Sequence, residues 1–475
     1  MKKLTIFFLL AIFIQANASS QSCLPQGITF ATQSAIDSFQ INYPSCTEIE
    51  GNVKITGNDI TNLDGLNVLT AFGGRLYIDT NITLTSLAGL DNVTSVGGSL
   101  QIRYNNALTI LNGLDNVISV GGTLMVRDNP GLTSLSGLDN LVSVGGYLRI
   151  RDNIGLTSLT GLNNLTSIVG NLWISGNTGL TTIAALDNLS SLGGDIVISS
   201  TDVLTSLSGL ENVTSVGKDL WITDNAALTS LTGLDNVTSI AERALIVDNP
   251  ALINLTGLDN LTSIGQFLWI GNNHYLLSLT GLDNLTSIGE WLDISNNDTL
   301  LDLTALQNLT SIAGDLWITD NLALTSLTGL DNIDPNSIIN LNIKHNISLS
   351  VCEVKSVCDY LASPGGIITI DTNAIGCNTQ LEVETACATV SVENTNYDEK
   401  IEIFPNPATN TLSISNNSRY IVREIIIYDL CGQKVLQVKP LNDVIDVSKL
   451  QHGMYIIEVI SKDSRIREKI LMVND

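Results

Sequence analysis

Apolar residues recur along most of this chain with a period of 24 residues. The repeating unit has the pattern L-x-I-x-x-N-x-x-L-x-x-L-x-x-L-x-x-V-x-x-V-G-G-x, in which leucine, isoleucine and valine replace one another. A fixed period between about 20 and 50 residues is typical of a solenoid, in which each coil buries its apolar face only against its neighbours. The unit begins at eleven positions: Leu76, Leu100, Leu124, Leu148, Leu172, Ile196, Leu220, Ala244, Leu268, Leu292 and Leu316.

The L-x-I segment that opens each unit alternates in period two, which predicts a short strand with its leucine and isoleucine pointing inward. Stacked coils place these strands in a parallel sheet with a spacing of roughly 4.8 Å. The later leucines recur every third residue, which favours turns and short 3₁₀ segments. Looser copies of the strand begin at Val53, Leu341 and Ile368. We therefore predict a mostly β, right-handed leucine-rich solenoid from about residue 47 to 375, with thirteen or more parallel strands and no internal break.

Polar residues recur at fixed places because a solenoid buries backbone groups that need hydrogen-bond partners. We interpret the asparagine five residues after the strand start as an inward ladder that bonds the turn backbone of its own and adjacent coils, and Thr201 alone replaces it. A second asparagine column, Asn92 to Asn332, and the glycine pairs such as Gly97-Gly98 also have structural roles, the glycines turning the backbone with positive φ. The ladder comprises Asn81, Asn105, Asn129, Asn153, Asn177, Asn225, Asn249, Asn273, Asn297 and Asn321.

Units such as L-W-I-T-D-N-A-A-L-T-S-L-T-G-L-D-N-V-T-S-I, which begins at Leu220, resemble the receptor L-domain branch of the leucine-rich-repeat superfamily. The resemblance covers roughly residues 46–350. The Gly-Gly pair before the strand departs from the commonest leucine-rich pattern and favours a straighter stack over a curved horseshoe. The resemblance implies a protein that binds other molecules or packs cell surfaces, without specifying a ligand.

Six of the seven cysteines flank the repeats, which predicts disulfide-bonded caps at both ends. Before the repeats, a short amphipathic helix within residues 32–42 should cover the first coil through Ile36 and Phe39. After them, we predict a helix that begins at C-E-V-K-S and stops at Pro364, a strand in G-I-I-T-I-D-T-N and a second helix around T-Q-L-E-V-E-T-A-C. Cys431 stands apart from the flanking cysteines, which are Cys23 and Cys46 before the repeats and Cys352, Cys358, Cys377 and Cys387 after them, the last four with three pairings open.

The first 18 residues have the pattern of a secretory signal peptide, with Lys2 and Lys3, an apolar run over residues 4–14 and the small-residue site Ala16-Asn17-Ala18. The run is too short to span a bilayer, which takes roughly 20 residues. Residues 1–399 carry 38 acidic and 12 basic residues, whereas residues 400–475 carry 9 and 10, so the net charge of −25 belongs to the first part. Such a surface argues against nucleic acid and anionic lipid as partners and predicts no membrane insertion.

From about Tyr397 the repeat gives way to short alternating strands, which predict a small antiparallel β-sandwich of about 80 residues. Three motifs there, F-P-N-P, Y-D-x-x-G-Q and L-x-x-G-x-Y, resemble the C-terminal sorting domain of the type IX secretion system. The resemblance implies the secretion machinery as a partner and export through the periplasm to the cell surface or medium. An immunoglobulin-like adhesive module is the alternative. The motif residues are Phe404, Pro405, Asn406, Pro407, Gly432, Gly453 and Tyr455.

The outward face of the predicted sheet carries the best candidate ligand surface. One residue after the strand start, tryptophan recurs on alternate coils, which lie roughly 9.6 Å apart. This spacing is commensurate with the two-sugar repeat of an extended β-linked glycan, and a large outward ring is unexpected unless something covers it. Alternatively, the rings only pack on neighbouring Val and Leu to rigidify the sheet. The candidate residues are Trp173, Trp221, Trp269 and Trp317, together with Arg103, Arg127 and Arg151, which are placed to pair with acidic groups on a glycan or protein.

No constellation of catalytic residues emerges, and His274, His345 and His452 are scattered, so we predict neither an enzyme nor a metal site nor a cofactor. An acidic column in the G-L-D-N segment could hold calcium, but we favour a role in its own turn. The sequence thus predicts a secreted or surface-exposed binding or adhesion protein, with a purely structural surface-layer or spacer component as the alternative. The acidic column comprises Asp91, Asp115, Asp139, Asp187, Glu211, Asp235, Asp259, Asp283 and Asp331.

The predicted organisation has six parts. They are a signal peptide at 1–18, an N-terminal cap at 19–50, the solenoid at 51–350, a cysteine-rich cap at 351–390, a linker at 391–399 and the sorting domain at 400–475.

Overall fold

The computed structural model describes residues 21–390, 402–406, 408–415, 422–429, 433–439, 444–461 and 465–473. The chain divides into two compact units, Met1–Ser391 and Val392–Asp475. The predicted signal peptide and linker, and the residues Pro407, Cys431 and Gly432, lie outside the described residues.

The first unit is a β-solenoid built around a parallel sheet of fifteen strands, called sheet A. Equivalent residues of successive coils lie side by side, as Leu124 does with Leu148. The predicted continuous solenoid is confirmed, with one further strand before the first looser copy. The strands are Ile28–Phe30, Val53–Ile55, Leu76–Asp79, Leu100–Arg103, Leu124–Arg127, Leu148–Arg151, Leu172–Ser175, Ile196–Ser199, Leu220–Thr223, Ala244–Val247, Leu268–Gly271, Leu292–Ser295, Leu316–Thr319, Leu341–Lys344 and Ile368–Asp371.

The other side of most coils forms a two-residue strand, and these strands also pair in parallel. They make one sheet of eight strands and a second of four, and between the two Val216 makes only a single bridge, to Ile240. The strands are Ser22–Cys23, Glu48–Ile49, Ala71–Phe72, Ser95–Val96, Ser119–Val120, Ser143–Val144, Ser167–Ile168, Ser191–Leu192, Ser239–Ile240, Ser263–Ile264, Ser287–Ile288 and Ser311–Ile312.

The core between these sheets is a continuous column of apolar side chains. From the second to the fourteenth strand of sheet A, the inward residues and the leucines at every third position are fully buried, as in the coil that begins at Leu220. Each such side chain contributes about 1.5–3 kcal/mol of transfer free energy, but only when both neighbouring coils cover it. In that coil the buried residues are Leu220, Ile222, Leu228, Leu231, Leu234, Val237 and Ile240.

The inward asparagine ladder is confirmed, and Asn249 shows its bonding. Its Oδ1 accepts from the backbone N–H of Asn225 at 3.2 Å and from the Asn225 side-chain amide at 3.0 Å. Its own amide donates to the carbonyls of Ile222, in the preceding coil, at 2.8 Å and of Val247, in the same coil, at 3.0 Å. Every ladder asparagine from Asn81 to Asn321 is fully buried. The ladder therefore supplies partners that the buried turn backbone needs.

The glycine pairs correct one expectation. Gly97 and Gly98 do not have positive φ, whereas Gly89 in the G-L-D-N segment has φ +104°. A Cβ on Gly97 would lie 2.5 Å from the carbonyl oxygen of Gly73. The pairs are therefore glycine because adjacent coils approach closely there, and the glycine with positive φ lies eight residues earlier.

Alanine at that left-handed position changes the turn. Ala185 and Ala305 stand where most units have glycine, and their turns are the 3₁₀ helices Ala184–Leu186 and Thr304–Leu306. A side chain disfavours positive φ and so favours the right-handed 3₁₀ turn at both alanines. However, Gly65, at the equivalent position of an earlier coil, also lies in a 3₁₀ helix. Two further 3₁₀ helices, Asp64–Leu66 and Pro335–Ser337, lie near the two ends of the repeats.

Disulfide-bonded caps are confirmed at both ends. The N-terminal cap has two short helices, Gln33–Asp37 and Phe39–Asn42, where a single helix was expected, and both Ile36 and Phe39 are buried. The C-terminal cap has helices Lys355–Ala362 and Gln380–Val390 around the last strand of sheet A. The pairings are Cys23–Cys46, Cys352–Cys377 and Cys358–Cys387.

The second unit contains two antiparallel sheets, one of three and one of four strands, as the sequence predicts. Ile427, Leu412 and Ile457 lie in its buried apolar core. The strands are Glu402–Phe404, Thr411–Ser415 and Val444–Asp446 in the first sheet and Val422–Tyr428, Lys434–Val438, Gly453–Ser461 and Arg465–Met472 in the second.

Candidate ligand-binding face and sorting domain

The predicted tryptophan column lies on the outward face of sheet A. Trp173 pairs in register with Val197, Val197 with Trp221, and Trp269 with Asp293, so the rings stand on alternate strands of one row. All four tryptophans are half-buried rather than fully exposed. We call this row the aromatic column, and it consists of Arg149, Trp173, Val197, Trp221, Leu245, Trp269, Asp293, Trp317 and Asn342.

Two of the indole rings reach along the sheet instead of projecting from it. The Trp173 Nε1–H donates to Ser175 Oγ at 2.9 Å, and the Trp269 Nε1–H donates to Ser295 Oγ at 3.3 Å. A Cβ on Gly271 would lie 2.5 Å from the Trp269 Nε1, so a side chain there would require the ring to shift. The residue two positions after each tryptophan is small. The ring can therefore lie against the sheet, where it is half-buried.

Arginine or aromatic side chains contact three of the four rings. The Arg149 guanidinium lies 4.7 Å from the Trp173 ring centroid, and that of Arg243 lies 5.8 Å from the Trp221 centroid. Trp317 stacks against Trp291 with centroids 5.7 Å apart. Within the described residues, no aromatic ring or guanidinium group contacts Trp269.

Sequence reasoning missed Trp291 and Phe267, whose rings stack 3.9 Å apart beside the aromatic column. Both occupy the position immediately before a strand, one residue ahead of the inward Leu292 and Leu268. Strand alternation makes that position outward as well, so extending the pattern one residue upstream was the available signal.

Asp293 lies in register between Trp269 and Trp317. Burial between these strands raises its pKa from 3.8 to about 6, although a hydrogen bond from Ser295 acts in the opposite direction. Its Oδ1 is enclosed and has no hydrogen-bond partner. The Oδ1 of Asn342, on the other side of Trp317, is enclosed and unpartnered in the same way. Two acceptor oxygens therefore alternate with two rings.

The three predicted arginines lie on consecutive strands but are already partnered. Arg103 pairs with Asp79 at 3.1 Å, and Arg151 pairs with Asp152 at 2.8 Å. Arg127 donates to the Tyr104 hydroxyl at 2.9 Å and lies 3.5 Å from Asp128.

Arg149 has no ion pair among the described residues, and the sequence analysis did not select it. Burial lowers its pKa, and the neighbouring charges of Arg151 and Arg127 lower it further. Its Nε is enclosed without a hydrogen-bond partner. Within the described ranges, Arg149 therefore has no carboxylate in direct contact, and among the nearby charges only Asp152 acts to raise its pKa.

The acidic column serves its own turns. Asp91 Oδ2 accepts the backbone N–H of Gly89 at 2.8 Å, and Glu211 accepts that of Gly209 at 2.7 Å. Eight of the nine predicted carboxylates make this bond, and only Asp187, which follows a 3₁₀ turn, has no such bond. In the described part of the chain, no group of three or more His, Cys, Asp or Glu side chains is arranged to hold a metal ion.

The described motif residues of the second unit hold its strands together. Asn406 donates to the carbonyl of Lys469 at 2.8 Å and accepts from the N–H of Leu471 at 2.9 Å. The Tyr455 hydroxyl donates to the carbonyl of Gln451 at 2.9 Å. Gly453 has φ +149°, in the region that favours glycine.

Residues 402–473 match the family model described as the secretion system C-terminal sorting domain. This segment is a type IX sorting domain. It confirms the sequence resemblance, implies interaction with the secretion machinery, and indicates export to the cell surface or secretion. No helix in the described ranges is long and apolar enough to cross a membrane.

A 75-residue segment of this chain is 36% identical to β-agarase D of Zobellia galactanivorans. The segment covers 16% of this chain and 15% of the agarase. The likeness is confined to the C-terminal tail region, so it gives no information about activity of the solenoid.

Proposed function

We propose that the outward face of sheet A binds an extended, β-linked, hydroxyl-rich polysaccharide at the cell surface, without catalysing a reaction on it. The observation that carries the proposal is the alternation of Trp269, Asp293, Trp317 and Asn342 along one row, with two rings separated by two unpartnered acceptor oxygens. We also propose that the repeats are related to receptor L-domains.

The rings and the oxygens are complementary to the two chemical faces of a sugar chain. Aromatic side chains offer a large, rigid apolar surface and lose little conformational entropy on binding. The C–H face of a sugar would stack on Trp269 and Trp317, which lie roughly 9.6 Å apart. A hydroxyl between the rings would reach Asp293 Oδ1 only after a small shift of the side chains that enclose it, and it would then supply the missing hydrogen bond. Such an unmade buried bond is unfavourable by about 1–3 kcal/mol.

A purely structural role is the second candidate. The stack of Phe267, Trp291 and Trp317 and the guanidinium of Arg149 over Trp173 favour it, because these contacts join adjacent coils. Trp269 distinguishes the two functions, since the described residues provide its ring with neither a stacking partner nor a cation.

The test is the double variant Trp269→Ala, Trp317→Ala in the full chain, measured on a glycan array and by thermal unfolding. Ligand binding predicts at least a tenfold loss of affinity, because buried aromatic residues at binding hot spots each contribute about 2 kcal/mol or more. Tyr275→Ala is the matched control, since Tyr275 is 67% exposed in a turn of the same coil as Trp269. Unchanged binding with a lowered Tm in the double variant would leave only the structural role.

A further inference from the structure

Four arginines gather at the N-terminal end of the aromatic column. Arg103, Arg127 and Arg151 occupy the same position on three consecutive strands, and Arg149 points outward from the last of them. This cluster lies in a part of the chain with 38 acidic and only 12 basic residues, so its local concentration of positive charge is exceptional for this solenoid.

The carboxylates nearby do not neutralise the cluster. Asp79 pairs with Arg103 but also lies 3.7 Å from Lys54, and the remaining partners are Asp128 and Asp152. The side-chain Nε atoms of Arg103, Arg127 and Arg149 are enclosed without hydrogen-bond partners. An uncompensated, partly desolvated guanidinium favours an anion that approaches it.

Arg243 shows how this sheet holds an arginine that needs no ligand. Its guanidinium also lies near a tryptophan ring, that of Trp221, at 5.8 Å. Its Nε and Nη2 both donate to the carboxylate of the buried Asp219, and this hydrogen bonding raises its pKa. Arg149 has the aromatic contact without the carboxylate.

We propose that Arg149, supported by the positive charge of Arg127 and Arg151, binds an oxyanion substituent of the polysaccharide, while Trp173 stacks on the sugar ring that bears it. The inference rests on the proposed function and narrows its substrate class to anionic glycans. A sulfate ester and a uronate carboxylate share the chemistry that guanidinium groups recognise through paired N–H donors.

The experiment uses the full chain and three probes with one β-1,4-glucan backbone: neutral cellohexaose, sulfated cellohexaose and the corresponding hexamer of glucuronate. Calorimetric titration at low and high salt gives the preference for the charged probes. We expect wild type to bind at least one charged probe tenfold more tightly than the neutral probe, with a preference that salt weakens because it screens charge. The better of the two charged probes identifies the oxyanion.

Arg149→Gln should abolish this preference and leave binding of the neutral probe within twofold of wild type. Arg75→Gln is the matched control, because Arg75 is an exposed arginine of the same face, three coils before Arg149. Arg149→Lys keeps the charge and should retain part of the preference, which provides a second variant if the glutamine form unfolds.

The outcomes separate this inference from the proposed function. Neutral binding without any charge preference in wild type overturns the inference alone. Equal weakening of all probes by Arg149→Gln also overturns it, because Arg149 then acts only by supporting Trp173. If none of the three probes binds to wild type, the proposed function for β-glucans fails together with the inference. If Arg149→Gln keeps the preference for charged probes, other residues are responsible for that preference, and the inference is contradicted.

Discussion

Replacing Asn249 by alanine is expected to lower the free energy of unfolding by about 4 kcal/mol. The substitution removes the acceptor of the Asn225 N–H and of one hydrogen of the Asn225 amide, and it removes one donor from each of the carbonyls of Ile222 and Val247. All of these bonds are made by a fully buried side chain, where water cannot replace it. Urea unfolding followed by circular dichroism measures the change.

Asn260→Ala is the matched control from the same coil. Asn260 belongs to the exposed asparagine column and donates a single bond, to the carbonyl of Asp235 at 2.7 Å. Water can take its place, so its loss should lower the free energy of unfolding by less than about 1 kcal/mol. Equal effects of the two substitutions would contradict the assignment of the inward ladder as the main polar support of the solenoid.

Asp293→Asn is expected to raise the free energy of unfolding at pH 8 and to leave it nearly unchanged at pH 4. Because burial raises the pKa of Asp293 to about 6 in the folded protein, the folded state holds its proton while the unfolded state releases it. Stability from this group is therefore full below about pH 4 and is lost as the pH rises through 6. The rise of the pKa from 3.8 to about 6 corresponds to a loss of about 3 kcal/mol.

The measurement is the free energy of unfolding of wild type and variant across pH 4 to 8. Asparagine has nearly the shape of aspartate and does not ionise, so the difference between the two proteins should grow between pH 4 and pH 6. Ser295→Ala provides a second check, because it removes the hydrogen bond that lowers the pKa of Asp293. The pKa should rise further, and the loss of stability with rising pH should be larger than in wild type. Parallel curves for wild type and Asp293→Asn would show that the carboxylate is not destabilised by burial.

Much of the fold could be predicted because nearly every repeat has the same length, so that equivalent residues of successive coils lie side by side. A period of 24 residues places Leu124 beside Leu148 and Asn225 beside Asn249, so one coil specifies its neighbours. The sequence correctly indicated a structural role for Gly97, but the reason, a positive φ, was wrong. Glycine is required because two coils approach closely there, and the sequence of a single unit does not show that contact. Likewise, four cysteines after the array allow three pairings, and only the folded cap selects Cys352–Cys377 and Cys358–Cys387.

The candidate site was less predictable because side-chain partners depend on rotamers and on neighbours a full coil away. The sequence placed Trp269 and Arg103 on one face, but it did not show that Arg103 is already paired with Asp79. It also passed over Arg149 and Asp293, each of which has an enclosed polar atom without a hydrogen-bond partner. Such a property appears only when the surrounding side chains are in place.

Titration of the full chain with β-1,4-linked oligosaccharides of increasing length, followed by tryptophan fluorescence, tests the binding face most directly. Successive tryptophans of the aromatic column lie roughly 9.6 Å apart, so each pair of added sugars can reach another ring. We predict that affinity rises at least tenfold from disaccharide to hexasaccharide and that the fluorescence change disappears in the Trp269→Ala, Trp317→Ala variant. Equal affinity at every length, or no fluorescence change with any of the oligosaccharides, would contradict the account.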